Sequence, residues 1–302
     1  MQYMIKKKKI LILLAVFNGE KYLNEQILSL LEQSELDIRI VISVDCSTDG
    51  SFDLCREISL ENDFITVLSY GERYGGAGKN FYRLIHDVEF DSYDYIAFCD
   101  QDDIWSSNKL LRAIESLKQC DCYSSNVTAF WSDGREVLID KAQPQREWDY
   151  LFEAAGPGCT YVLKLDVAIK FKELLLEHYE LIGSNIALHD WLIYAFARSR
   201  NYCWFIDSQP MMLYRQHENN QVGTNNSISA AIKRFKLIKS KWYRHQVMSI
   251  ADITGLQNTD IYKLGLSNGY LGNLFLLCNI HKLRRRFRDR FALATALLFN
   301  MF

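Results

Sequence analysis

The sequence predicts an α/β protein: a mostly parallel sheet with helices on both faces. Three observations carry this. Apolar runs at 10–16, 38–44 and 96–99 are short and suit strands buried on both faces. The stretches between them place apolar residues at helical spacing. Each run also ends abruptly in polar, turn-forming residues. In sheets of this kind ligands bind outside the carboxyl ends of the strands.

The elements follow in order. The first strand, 10–16, ends in Phe17-Asn18-Gly19. Residues 20–33 are helical, with Tyr22, Leu23, Ile27, Leu30 and Leu31 on one face. The second strand, 38–44, is closed by Asp45-Cys46-Ser47-Thr48-Asp49-Gly50-Ser51, a stretch rich in turn and cap formers. A helix over 52–60, a strand over 64–69 and a glycine-rich loop over 74–79 come next, with a helix beginning near Asn80-Phe81. The loops at Asn18, Asp45, Gly76 and Asp100 are therefore expected to converge on one crevice.

The run 96–99 ends in Asp100, Asp102 and Asp103. Strand alternation puts Asp100 and Asp102 on one side and turns Asp103 away or into the following turn. Two neighbouring carboxylates repel unless a cation joins them, and an oxygen-preferring divalent metal is the natural one. The other reading is an acidic turn capping a helix that starts at Ser106 or Ser107.

The balance of charges is uneven. Residues 226–302 hold 13 Lys/Arg against 3 Asp/Glu, and residues 1–225 hold 22 against 34. An acidic body, with no nucleic-acid reader motif, argues against a nucleic-acid partner. Neither a P-loop nor GxGxxG is present. The 8 cysteines show no CxxC, and Lys6 to Lys9 precede an apolar run too short for a secretory signal. The expectation is a cytoplasmic protein with reduced thiols.

Phe17-Asn18-Gly19, Asp45 to Ser51 and Asp100-Gln101-Asp102-Asp103 stand in the order and spacing of family 2 glycosyltransferases, which this sequence resembles. Gly76 with Asn80-Phe81 is similar to that family's glycine loop. Gly156-Pro157-Gly158-Cys159-Thr160, His189-Asp190-Trp191 and the stretch from Tyr214 to Asn220 are similar to its bacterial rhamnosyltransferases. The resemblance covers about residues 8–222. It departs at Val44 and Cys46, which flank a single Asp45 where the family commonly has paired Asp and then Gly. His189 stands where many relatives have Glu, as it often does in the rhamnosyltransferase-like branch.

The resemblance implies a GT-A (Rossmann-like) fold and inverting transfer from a nucleotide-sugar, with dTDP-rhamnose the first choice of donor and a UDP- or GDP-sugar the alternative. The acceptor would be a lipid-linked oligosaccharide of O-antigen or capsule type. Phe17, Asn18, Asp45, Gly76, Asn80, Asp100 and Arg215 are expected at the donor. Asp102 and His217 are expected to hold Mg²⁺ or Mn²⁺, which would neutralise the leaving diphosphate. Transfer needs a base for the acceptor hydroxyl. Asp190, at the start of a helix, fits that task, although a first-turn Asp also suits the helix dipole. Gly158, Cys159, Thr160, His189 and Trp191 are expected on the acceptor side. The rival from another class is a catalytically dead, transferase-like binding or scaffold protein.

The domain reading is a catalytic domain over 1–225, with a nucleotide-sugar half over 8–105 and an acceptor half over 106–225, and a basic helical tail over 226–302. Ile232, Phe235, Ile238 and Trp242 form an apolar stripe among basic residues. A second basic segment, 282–290, runs into the apolar stretch 291–299, which is too short to span a bilayer. The tail would rest on an anionic membrane, making the enzyme peripheral on the inner face of a bacterial inner membrane. The alternatives are packing on the catalytic domain or a homo-oligomer contact.

Overall fold

A computed structural model describes residues 7–33, 35–217 and 241–302. Strands β1 (Lys9–Val16) and β2 (Asp37–Val44) run parallel with Val16 opposite Val44. β3 (Ile65–Val67) pairs with β2, and β4 (Tyr95–Cys99) pairs with β1 so that Leu14 faces Cys99. The carboxyl ends of β1, β2 and β4 therefore share one edge, and Phe17, Asp45 and Asp100 leave the sheet there. β9 (Val162–Lys164), β6 (Cys122–Ser125) and β10 (Trp204–Asp207) complete the order β10-β6-β9-β4-β1-β2-β3. Only β9 runs antiparallel to its neighbours, so the sheet is mostly parallel as expected.

The period-2 pattern of β1 divides the core. Leu11, Leu13 and Ala15 join one hydrophobic cluster with α3 (Ala77–Asp87), α5 (Leu165–Glu177) and α7 (His189–Ser199). Ile10, Ile12, Leu14 and Val16 join the other, with α1 (Glu20–Leu31), α2 (Ser51–Glu61) and α4 (Lys109–Ser116). Both faces of the strand are buried, which is why its sequence is apolar without alternation. Truncating Ile12 or Leu13, both fully buried, would cost about 2–5 kcal/mol.

A second sheet went unseen in the sequence. β5 (Ile104–Trp105), β11 (Met212–Arg215), β7 (Val127–Phe130) and β8 (Glu136–Ile139) pair in the order β5-β11-β7-β8. The antiparallel pairing of Leu213 with Ile104 brings Arg215 and His217 back to the acidic loop at the end of β4.

The basic amphipathic segment around Ile232, Phe235 and Ile238 lies outside the described residues. Beyond it, helices Trp242–Ile253, Gly269–Cys278 and Phe287–Leu298 follow one another. Val247, Ile250, Leu276, Leu283, Leu293, Leu297 and Phe302 are buried in the same cluster as Leu11 and Leu13. This part of the tail is packed on the catalytic core. Among the described residues no helix is long and apolar enough to cross a membrane.

The reduced-thiol expectation fails at one place. Cys120 and Cys203 are joined in a disulfide, because the pairing of β6 with β10 brings their Cα atoms to 4.8 Å. Cys46, Cys55, Cys99, Cys122, Cys159 and Cys278 are free.

Candidate active site

The crevice is built by loops that bind one another through backbone groups. Asn18 sits at φ 48, a left-handed position that asparagine tolerates. Its side-chain oxygen accepts from Thr48 N at 2.8 Å, and its N–H donates to Ser47 Oγ at 3.1 Å. Gln101 ties the first loop to the acidic one. Its Nε2 donates to Phe17 O at 2.8 Å and its Oε1 accepts from Phe17 N at 2.6 Å. Sequence reasoning passed over Gln101, although its place among three carboxylates was the available signal.

Two residues expected at the donor are engaged elsewhere. Asp45 is buried, and its two oxygens accept from Tyr74 N at 2.8 Å and Gly75 N at 2.9 Å, pinning the glycine loop to β2. Asn80 is buried too. Its amide donates to Val16 O and Ser43 O and its oxygen accepts from Ser43 Oγ, so it joins β1 and β2 and does not face the crevice. Gly76 is in an extended conformation open to any residue. The glycine the loop requires is Gly78, where a Cβ would lie 2.2 Å from Ala187 O. That close approach seats α3 against the segment leading into His189 and Asp190.

The acidic loop departs from simple alternation. Of the two outcomes expected for Asp103, the turn is the one found: it follows the bend after β4, fully buried, accepting from Arg215 N at 3.0 Å. Carboxylate oxygens of Asp100 and Asp103 and the Cys159 sulfur all lie within 4.8 Å of one another. Burial, then the Asp102 charge, raises Asp100 to about 7. The same two causes, with Asp100 added, push Asp103 well above the ordinary carboxylate range. Lys109, read from sequence only as part of a helix start, is fully buried below them. Its ammonium stands 3.3 Å from the Trp105 ring centroid, and burial lowers its pKa to about 8.

At the rim, Asp102 Oδ2 meets His217 Nε2 at 2.6 Å, and the imidazole stacks on Tyr22 at 5.6 Å. Arg215 was expected as a clamp on the diphosphate. Its Nε instead donates to Asp102 O at 2.8 Å, it pairs with Glu25, and its guanidinium lies between the Tyr22 and Phe130 rings. It fixes the acidic loop.

Across the crevice, Asp190 begins α7. Burial raises its carboxyl to about 6, opposed by a hydrogen bond from Trp191 N and by the Lys141 charge. Asp190 adds its charge to the field at Asp100. Gly158 lies beneath it, in the turn Gly158–Thr160.

The other residues placed on the acceptor side do different work. His189 is buried against Phe81 with ring centroids 4.0 Å apart, and burial holds its imidazole down at about 3, which favours the neutral ring. Trp191 is core: its Nε1 donates to Tyr150 O at 3.0 Å and its ring stacks on Tyr243. Thr160 is buried and caps its own turn by donating to Pro157 O at 2.7 Å. Cys159 lies beside Asp100 and Asp103.

A dTDP-rhamnosyl transferase of Shigella flexneri, RfbG, is 48% identical to this chain over 292 residues, covering 96% of this chain and all of the relative. The chain belongs to glycosyltransferase family 2. The family model described as Glycosyl transferase family 2 matches residues 11–160, from β1 to the turn under Asp190. Solved structures agree on the fold. S. aureus TarS in complex with UDP-GlcNAc superposes with a TM-score of 0.53 at 17% identity, covering 95% of this chain and 84% of TarS. The mannosyltransferase PcManGT of Pyrobaculum calidifontis, in complex with GDP-Man and Mn²⁺, gives 0.53 at 13% identity over 99% and 82%. The mixed sheet and its flanking helices are the GT-A fold of the family, and the protein is a glycosyltransferase.

Proposed function

We propose that this enzyme transfers L-rhamnose from dTDP-rhamnose, with inversion, to a hydroxyl of a lipid-linked glycan in surface polysaccharide synthesis. The full-length 48% identity to a dTDP-rhamnosyl transferase is the observation that carries the donor. The carboxylate of Asp190 takes the acceptor proton as the acceptor oxygen attacks the anomeric carbon from the face opposite the leaving dTDP. A single displacement of this kind inverts the configuration at that carbon.

The acidic loop suits a divalent cation. Its donors are hard carboxylate oxygens, as Mg²⁺ and Mn²⁺ prefer. Burial first, and then the neighbouring carboxylate charges, raise Asp100 and Asp103, and a bound cation would offset both. Asp102 and Asp100, with His217 beside them, would hold it. Cys159 would not, because burial keeps its thiol protonated. When bound, the ion supplies charge to the leaving diphosphate.

We place the enzyme on an anionic membrane surface. Phe287 and Phe291, 77% and 69% exposed, lie one turn apart on the last helix, with Arg288 and Arg290 on the same helix. The test of the donor reading is binding of dTDP, UDP and GDP with and without Mn²⁺, alongside Asp102→Ala. Metal-dependent preference for dTDP, lost in the variant, supports it. A preference for UDP or GDP discards rhamnose, and no nucleotide binding by the folded protein supports a scaffold.

A further inference from the structure

Beside its apolar stripe, α1 carries a second stripe that is polar and buried. Leu23, Ile27 and Leu30 face the core, as their spacing predicts. Tyr22, Gln26 and Ser29 each stand one position earlier, so they too fall at spacings of four and three, on the adjacent face. Gln33 follows just past the helix end. Gln26, Ser29 and Gln33 are all buried. Buried amides and hydroxyls are tolerated where they are hydrogen-bonded, so the partners of this stripe reveal its task.

Beyond the helix itself, those partners are backbone groups of one segment, from Asp103 to Leu110. Gln26 Oε1 accepts from Asp103 N at 3.0 Å, and Ser29 Oγ accepts from Trp105 N at 3.1 Å. Gln33 Oε1 accepts from Leu110 N at 3.1 Å, while its Nε2 donates to Ser106 O at 2.8 Å. The reason is topological: β5 is an edge strand. Ser106 N donates across to Met211 O at 3.1 Å, on the β11 side. The N–H groups at 103 and 105 point the other way, where no strand receives them. α1 supplies the acceptors that a further strand would. Ser29 Oγ also donates to Gln26 O at 2.7 Å and accepts from Gln26 Nε2 at 3.3 Å, so the two side chains hold each other.

The peptide between Asp102 and Asp103 is thereby held at both of its polar atoms. Arg215 Nε donates to its oxygen at 2.8 Å, and Gln26 accepts from its N–H at 3.0 Å. The same guanidinium pairs with Glu25 and lies over the Tyr22 ring, so α1 supports both grips. A planar peptide held at both atoms restrains the dihedrals on either side of it, and with them the direction of the Asp102 side chain. That is the carboxylate whose Oδ2 meets His217 Nε2 at 2.6 Å.

We propose that Gln26, backed by Ser29, is a positioning residue that aims the Asp102 carboxylate at the divalent cation of the donor site. This rests on Asp102 as a ligand of that cation, and it makes metal affinity a property of the first helix as well as of the acidic loop. Gln26 acts through the 102–103 peptide and touches neither metal nor nucleotide.

The experiment titrates the full-length protein calorimetrically with dTDP, with and without Mn²⁺, and follows Mn²⁺ alone by electron paramagnetic resonance. Gln26→Met, close in volume but without the acceptor, should lower Mn²⁺ affinity at least about tenfold. The gain in dTDP affinity that Mn²⁺ confers should fall with it, and metal-free dTDP affinity should stay unchanged. Ser29→Ala removes the acceptor for Trp105 N and the hold on Gln26, and should lower Mn²⁺ affinity about fivefold. It carries the test if Gln26→Met does not fold. Leu30→Ala, fully buried on the apolar stripe of the same helix, should lower the melting temperature and leave the Mn²⁺ gain intact. Unchanged Mn²⁺ affinity in the folded variants overturns the proposal. So does a loss of dTDP affinity that is equal with and without Mn²⁺, or a loss of the gain in Leu30→Ala as large as in Gln26→Met. The parent protein and Asp102→Ala separate the two readings. No Mn²⁺ gain in the parent strikes at the cation itself, and the positioning role falls with it. A gain lost in Asp102→Ala but kept in Gln26→Met strikes only at Gln26.

Discussion

Gly158 lies directly under Asp190: a Cβ at position 158 would stand 3.0 Å from the Asp190 Cβ and 2.6 Å from His189 Nε2. Neither neighbour can give way, because His189 is stacked on Phe81 and Asp190 is at the start of α7. Gly158→Ala should therefore displace Asp190, the proposed base, with the fold intact, lowering kcat by about 100-fold, the cost of a misplacement near 1 Å. Steady-state kinetics beside a thermal melt checks this. Gly183→Ala, within the helix Tyr179–Asn185 and in open space, is the control and should leave activity unchanged.

The Asp190 carboxyl, raised to about 6 by burial, sets an acid limb on the rate. A base works ionised; a raised pKa means it is protonated, and idle, below about 6. The value of kcat/KM should be level above that pH and fall about tenfold per unit below it. A limb near the ordinary carboxylate value would remove Asp190 from the role. Asp190→Asn should lose about 10²–10⁴-fold at every pH and abolish the limb.

Gln101 holds Phe17 by two hydrogen bonds at 2.6 and 2.8 Å, and it has no part in the core. Gln101→Ala should free the Phe17–Asn18 turn and weaken donor binding by about tenfold, the worth of those bonds, with little change in melting temperature. Titration with dTDP-rhamnose reads it. An unchanged affinity would show that the turn keeps its shape through Asn18 and Ser47 alone.

Where sequence patterns succeeded and failed follows from their range. The apolar strands were legible because β1 is buried on both sides, Ile12 in one cluster and Leu13 in the other. Asp103 was left between two places because alternation stops where β4 ends at Cys99, and the chain turns before Asp103. His189 and Trp191 were misread because neighbours on a helix point about 100° apart, so they do not share the direction of Asp190 and face the core. The second sheet was invisible: β5 has two residues and its partner β11 is over a hundred positions away. Lys109 gave no sign of burial, since its carboxylate neighbours arrive from other elements.

Arg285 anchors the tail to the body through Asp149 and Glu153, with its side chain fully buried. Removing one partner of a buried pair strands the other charge, at about 3–5 kcal/mol. Arg285→Met should lower the melting temperature by several degrees at neutral pH. It should also loosen the loop behind Gly158, because the donor to Ala154 O is lost. Circular dichroism melts measure the first effect and kcat the second. Arg288→Met, on an exposed side chain of the same basic run, should change neither.

Membrane attachment is better tested by surface substitutions than by deleting the tail. A truncation at residue 225 would strip Val247, Ile250, Leu276 and Phe302 from the core they share with Leu11, and loss of membrane association would then report unfolding. Phe287 and Phe291 are outside that core and well exposed. Burying one such ring in a bilayer interface is worth about 1.5–3 kcal/mol at most, so Phe287→Ser with Phe291→Ser should cut vesicle binding by at least about tenfold. The melt should be unchanged. Cosedimentation with vesicles containing phosphatidylglycerol, against neutral phosphatidylcholine vesicles, separates the apolar contribution from that of the basic residues, since only the latter should fade with added salt. Binding that survives both substitutions would mean that the last helix is not the membrane contact.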